Sequence, residues 1–360
     1  MISKLLPLAA LMATALFFSS CGENDEPSVS SNYTVPTTYN FNNVNYTKST
    51  HLVKMTVELN AYLSKANAGS AVVPLDQAVV NNMFANTNSP FANADLNASS
   101  FSISSFVSEG ALYKSYADSV LIFNTGVNAS AGVGGFVPRN ANKIVVSPTG
   151  LEYSQAYAKG TMGALLFKEA MLLLSNVKTM GIADTLAAQA AWDEAFGYLS
   201  VPTNYDATLT YVNSDPNRPL LWGGYLAERG IPIQAGSTIF GAFLKGRAAI
   251  GAYDVDARNE QADIILEKWE QLAAIAVLSY VTAPTASSNI GNYGSQFHEL
   301  SEGFGFIASL KYRPSSSKLT AANFATLNRI IHTDFYVLLG QPGFTDLVTA
   351  QNILKSTYGL

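Results

Sequence analysis

The chain has 360 residues, 48% of them hydrophobic and only 13% charged, with a net charge of −5. Globular proteins carry roughly 25% charged residues; here polarity comes from Asn, Ser and Thr, and the apolar content is ample for a core, which excludes disorder along the whole length. No basic patch stands out, which argues against nucleic acid as a partner, and the length fits one large domain or two ordinary ones. The single cysteine, Cys21, excludes internal disulfides and any zinc or iron–sulfur site built on several cysteines. Histidines number three (His51, His298 and His332), so a three-histidine metal site would use them all.

Residues 1–20 read as a signal peptide. Lys4 supplies the positive start, and residues 5–18 form an uncharged run too short for an ordinary membrane span. Ser19 and Ser20 then precede Cys21. The pattern resembles a bacterial lipoprotein signal, with Phe18 where leucine is usual. It implies cleavage before Cys21 and acylation (palmitate) of its thiol, each buried CH₂ adding ~0.8 kcal/mol of membrane affinity. Residues 21–38 read as a flexible tether, in which Glu23, Asp25 and Glu26 precede a Ser-, Pro- and Thr-rich stretch. An acidic cluster after the lipidated cysteine resembles the surface-export signals of Bacteroidota lipoproteins. It favours the cell surface over the periplasmic face of the outer membrane. No later segment reads as a membrane span, because the best run, 164–174, contains Lys168 and Glu169.

Residues 39–360 read as an all-α domain with little or no sheet. Residues 39–46, rich in aromatics and Asn, read as an extended lead-in. Ser49 or Thr50 caps a first helix with Leu52, Met55, Leu59, Tyr62 and Leu63 on one face. Asp76 caps a second, short helix. Residues 86–100 read as loop, 108–123 as helix, and 126–150, with its glycines and prolines, as a long irregular connection. A long helix over 152–177 carries Gly160 and Gly163, three apart, a flat face for close packing. Helix 185–199 follows, then a Pro- and Gly-punctuated loop over 205–230. Helices over 237–252, 257–281, 297–312, 321–339 and 344–358 complete the chain. Asp254 and Asp256 do not make a calcium loop, because Arg258 stands at a ligand position and the turn Gly and terminal Glu are missing. Capping of the helix after Asp254 is the better role.

Two stretches match at an offset of 108 residues: 192–199 (WDEAFGYL) and 300–307 (LSEGFGFI). The spacing predicts two related helical halves, about 101–212 and 235–358, as pseudo-repeated bundles. Phe196 and Leu199 share a helix face, as do Phe304 and Ile307. Glu194 and Glu302, beside large apolar residues, are either paired, capping or ligands.

His298 and Glu302 lie four apart on one helix, within reach of one metal or of each other. The stretch lacks the second histidine of the zincin H-E-x-x-H, so Glu194 or other acids would have to complete a metal sphere. A His–Glu hydrogen bond that fixes helix packing is the competing role. His51 and His332 have no patterned partner. No G-x-S-x-G elbow or phosphate loop is present. Tyr and Trp are plentiful enough for a sugar-stacking surface, but they are dispersed and fall mostly at core-face positions.

Several patches in order (39–46; 150–155 with 159–164; 192–202; 245–250; 298–302) resemble the domain-of-unknown-function family 4856, lipoproteins of Bacteroidota. That family is in turn similar to the imelysins, helical two-halved exported proteins associated with iron regulation. Imelysins carry G-x-H-x-x-E; here Gln296 replaces the glycine and Ser301 the glutamate, with Glu302 one residue later. The resemblance implies a lipid-anchored outer-membrane or surface binding protein, accessory to iron or other nutrient uptake, with an uptake receptor as partner. Glu194, His298 and Glu302 are its candidate ligand-side residues, and His298 with Glu302 would bind a divalent metal or iron. An imelysin-like metallopeptidase and a receptor-docking protein without a small ligand are the alternatives.

Overall fold

Short polar side chains set several helix starts by accepting the first free amides. The computed structural model describes residues 33–360, so the signal peptide, Cys21 and residues 21–32 of the tether lie outside the described residues. From Tyr33 the chain runs irregularly to α1 (Thr47–Ser64). Asp76 accepts from Ala78 N at 2.8 Å to start α2 (Gln77–Ala85), as its sequence predicts. Two single-turn helices, α3 (Ala94–Asn97) and α4 (Ile103–Phe106), lead to α5 (Gly110–Phe123). Next come β1 (Gly135–Arg139) and β2 (Asn142–Val146), then α6 (Tyr153–Thr161), a π-helical turn (Met162–Phe167) and α7 (Lys168–Val177). The chain continues through α8 (Thr185–Leu199), α9 (Trp222–Glu228), α10 (Ala235–Gly251) and α11 (Val255–Thr282). It ends with α12 (Tyr293–Lys311), α13 (Ala321–Ile331), α14 (Phe335–Gly340) and α15 (Thr345–Tyr358). About 63% of the described residues are helical and their sheet is one hairpin, so the fold is all-α.

Four sequence expectations are corrected. The first helix starts at Thr47, not Ser49 or Thr50: Asn45 Oδ1 takes the Thr47 amide at 3.1 Å, and Ser49 is instead buried in the helix. The connection 126–150 holds the antiparallel hairpin, in register from Gly135 opposite Val146 to Arg139 opposite Asn142. Its turn is Asn140–Ala141, with Asn140 in the left-handed region at φ 53°, so the usual glycine signal is missing. The punctuated loop 205–230 contains α9. The helix expected over 321–339 breaks in two, because Asp334 caps a new start by accepting from Tyr336 N and Val337 N.

Helix α11 is the spine. Its 28 residues pack against α10, α12 and α15, while α12 also lies along α6, α7 along α8, and α1 along α8 and α6. Asp254 caps it through Ala257 N at 3.0 Å. The deepest core is aromatic. Trp222, Trp269, Phe167 and Phe306 are fully buried and meet edge-on or tilted at 5.5–6.2 Å between centroids. Such pairs contribute about 0.5–1.5 kcal/mol each beyond their buried area.

The π turn loosens the regular i→i−4 ladder, and its carbonyls find other donors. Trp222 Nε1 donates to Met162 O at 2.9 Å, and the Ser108 amide donates to Ala164 O at 2.9 Å. Glycines bring this segment against α12. A Cβ at Gly163 would lie 2.5 Å from the Ser309 amide nitrogen, and one at Gly305 would lie 2.7 Å from Gly160 N.

Backbone cannot yield to such contacts as a side-chain tip does. Gly305→Ala is therefore expected to destabilise the protein by about 1–3 kcal/mol, the usual cost of overpacking. Gly241, inside α10, has nothing within 4 Å of its would-be Cβ. Gly241→Ala is expected to stabilise by about 1 kcal/mol through helix propensity. Chemical denaturation of both variants checks the contrast; equal effects would refute the close-packing account.

Candidate functional site

The repeated stretch acquires a physical meaning once its partners are seen. On α8, Glu194 pairs with Lys48 at 2.7 Å, and on α12, Glu302 pairs with Lys159 at 3.0 Å. Three residues after each glutamate a glycine admits the partner helix. A Cβ at Gly197 would collide with Ser49 Oγ, and one at Gly305 would lie 2.5 Å from Lys159 Cβ. The common unit is thus Glu-x-x-Gly on one helix facing Lys-Ser or Lys-Gly on another. A lysine beside a small residue recurs at 48–49 and 159–160.

The two copies differ in what surrounds the clasp. Beside Glu194, fully buried Asp193 takes Arg247 Nε at 2.8 Å and Tyr39 OH at 2.7 Å. Arg247 also donates to Asn42 O at 3.0 Å, and Tyr39 stacks on Phe196 at 3.7 Å. The lead-in 39–46 is thereby pinned to α8. Burial, reinforced by the Asp193 charge, pushes the Tyr39 phenol well above its ordinary value. In the second copy Ser301 replaces Asp193, and its hydroxyl accepts from Glu152 N at 2.8 Å while donating to Phe297 O at 2.6 Å.

That serine places Glu152 next to His298. Glu152 is fully buried at the start of α6. Its Oε1 accepts from Asn67 Nδ2 at 2.6 Å and Ser154 Oγ at 2.9 Å, and its Oε2 meets His298 Nδ1 at 2.8 Å. With Nδ1 so held, Nε2 is left on the side of Glu302. Glu302 Oε2 lies 3.9 Å from it, beyond hydrogen-bond reach. The His298 and Glu302 side chains are 13% and 12% exposed. Burial opposes a charged imidazole, but the Glu152 hydrogen bond and the charges of Glu152 and Glu302 outweigh it and raise the His298 pKa. Burial is again the largest influence on Glu299, which it raises together with the Glu302 charge; His298, Arg139 and Arg229 oppose it. Lys159 lies over the Tyr225 ring at 5.3 Å, and Tyr225 and Tyr280 share a hydroxyl hydrogen bond of 2.6 Å.

The structure therefore brings His298 and Glu302 together and adds Glu152, which sequence reasoning missed because it lies 146 residues from His298. Glu194 shares no partner with that pair. Neither glutamate is paired with Arg247 or Arg313: the first serves Asp193, and the second donates to Leu310 O and Leu319 O. Of the other histidines, His51 Nδ1 is enclosed without a partner among the described residues, and His332 bonds its own helix at Asn328 O. As a metal centre the site is thin. Among the described residues no group of three or more His, Cys, Asp or Glu is placed to hold an ion. His298 Nε2 and Glu302 Oε2 could offer two donors, with Lys159 competing for Glu302. Cys21 lies outside the described residues.

A family model described as Domain of unknown function (DUF4856) matches residues 36–356. The chain belongs to this family. Its span takes in both Lys–Glu clasps and the Glu152–His298 pair, so each is part of the family domain. No curated protein and no solved structure matches the chain.

The raised His298 pKa has a definite pH signature. Stability from the charged ring is fully present below the unfolded value, about 6.5, and is lost as pH rises through the higher folded value. His298→Gln is expected to lower the melting temperature more at pH 6 than at pH 9. Thermal unfolding of both proteins across that range decides it, and a gap independent of pH would mean the ring is neutral throughout.

Proposed function

We propose that the chain is a lipid-anchored outer-membrane or surface binding protein, accessory to the uptake of iron or another nutrient. The observation that carries the binding role is His298: Nδ1 is locked by buried Glu152, while Nε2 lies 3.9 Å from Glu302 with no hydrogen-bond partner among the described residues. A ring oriented in this way is set to give or take one hydrogen bond from a ligand. His298 and Glu302 are its ligand-side residues; Glu194, tied to Lys48 elsewhere, holds helices together. The anchor rests on the lipoprotein-like start of the chain and the acidic residues after Cys21. No helix among the described residues is long and apolar enough to cross a membrane. The similarity to imelysins and the assignment to Bacteroidota rest on the ordered motifs and on the H-E-L-S-E stretch at 298–302.

A metallopeptidase is the second reading, favoured by one feature. A carboxylate on one nitrogen of a histidine is the usual support of a metal ligand on the other. Against it stand the two-donor set and Lys159, which neutralises Glu302.

Two measurements test these readings. After incubation with iron, zinc or calcium and desalting, the protein is expected to retain far less than one metal per chain. Near-stoichiometric metal, lost in both His298→Ala and Glu302→Ala, would instead establish the metalloprotein. Cells fed labelled palmitate are expected to label the wild-type chain and not Cys21→Ala; an unlabelled wild type would refute the anchor.

A further inference from the structure

A second polar constellation lies away from His298, where α11, the segment 314–318 and the end of α15 enclose a cavity of about 440 Å³. Asp263, Glu267 and Glu270 line it from one face of α11, at i, i+4 and i+7. The three carboxylates are not equivalent. Asp263 pairs with Lys178 and Glu267 with Lys318, both pairs well exposed at the mouth. Glu270 is only 3% exposed and has no cation within ion-pair distance among the described residues. Ser317 and Tyr358 both donate to its Oε1, Tyr358 at 2.6 Å. Its Oε2 accepts no hydrogen bond among the described residues and is not one of the enclosed unpartnered atoms, so it keeps some contact with solvent, and Glu270 lines the cavity. Gln271 fixes the wall by donating to Tyr358 O at 3.1 Å.

A buried carboxylate without a counter-ion is costly, and this one keeps an oxygen free. We propose that this cavity binds a small organic amine, whose ammonium group pairs with Oε2 of Glu270. The other ligand classes fit less well. With Asp263 and Glu267 paired to lysines, the remaining charge in the lining is the carboxylate of Glu270, which repels an anion. A metal ion asks for several oxygen ligands, and two of these carboxylates are already engaged by lysines. An ammonium satisfies one open oxygen, and the Tyr358 ring and lysine stems give its carbon chain an apolar wall. The volume is within the range of small-molecule sites, roughly 300–1,000 Å³.

The electrostatics agree. Burial, with the nearby Glu267 charge, holds the Glu270 carboxyl above its ordinary value, although the Ser317 and Tyr358 hydroxyls and Arg313 pull it down. Asp263, Lys178, Lys318 and Lys268 are the other charged groups around it. An ammonium needs the ionised carboxyl, so affinity should fall as pH is lowered through the Glu270 titration.

The test is calorimetric titration of the whole protein with 1,5-diaminopentane, with 1,5-pentanediol as the neutral counterpart. At pH 8 the diamine is expected to bind saturably and the diol about tenfold more weakly or not at all. Glu270→Gln keeps an acceptor for both hydroxyls and should lose about tenfold or more in diamine affinity, the factor that ~1.4 kcal/mol represents. Tyr358→Phe leaves the charge in place and should still bind. Equal affinity for the diol, undiminished binding by Glu270→Gln, or no saturable binding of the diamine would overturn the proposal. If Glu270→Gln fails to fold, wild-type affinity decides: a fall between pH 8 and pH 4 supports the proposal, and an unchanged value overturns it.

Discussion

The close approach of α6 and its π turn to α12 is the constraint from which most of this architecture follows. Two glycines, Gly163 and Gly305, remove the side chains that would hold the two backbones apart. At that separation Lys159 can reach Glu302 across the contact, and Ser301 can accept the amide of Glu152, the residue just before α6. Glu152 is thereby fixed beneath His298. The imidazole owes its orientation to helix packing rather than to a loop, which makes its second nitrogen a rigid feature.

Charge is scarce in this chain, and the protein uses it in pairs. The two buried or half-buried clasps, Glu194 with Lys48 and Glu302 with Lys159, stand at equivalent places in the repeated motif. Asp193 with Arg247 adds a fully desolvated pair that ties the extended lead-in to α8. Removing one partner of such a pair strands the other charge, whereas the pair itself contributes little net stability. These residues therefore specify which helix meets which, and the aromatic and aliphatic core supplies the stability. Among the described residues, the His298 Nε2 and the Glu270 Oε2 are two polar atoms on largely buried side chains that this pairing leaves without a hydrogen bond.

Much of the helical order was legible in the sequence, because capping and 3.6-residue periodicity are local signals. Asp76 and Asp254 cap as their positions imply. The hairpin was hidden by its own chemistry: Pro138 lies inside β1, and the Asn140–Ala141 turn lacks the glycine that usually marks such turns. Helix α9 was concealed among the prolines and glycines around it, and the break before α14 depends on one aspartate, Asp334. Within the site, His298 and Glu302 were legible because they share a helix. Glu152, Asn67, Lys48 and Lys159 were not, since long-range pairing leaves no periodic trace. The repeat was visible as a string of letters, but its content, a lysine clasped by a glutamate one turn before a glycine, needed the partner helices.

All three tryptophans, Trp192, Trp222 and Trp269, are completely shielded from solvent. Trp192 reports on the α8–α10 contact through its hydrogen bond to Phe243 O, while Trp222 and Trp269 sit 6.0 Å apart in the aromatic centre. The indoles thus form a built-in optical gauge. In the native state their emission is expected to be that of an apolar medium, and the close pair is near enough to exchange excitation. Loosening at either location would shift the emission to longer wavelength, so intrinsic fluorescence follows the integrity of both regions without any added label.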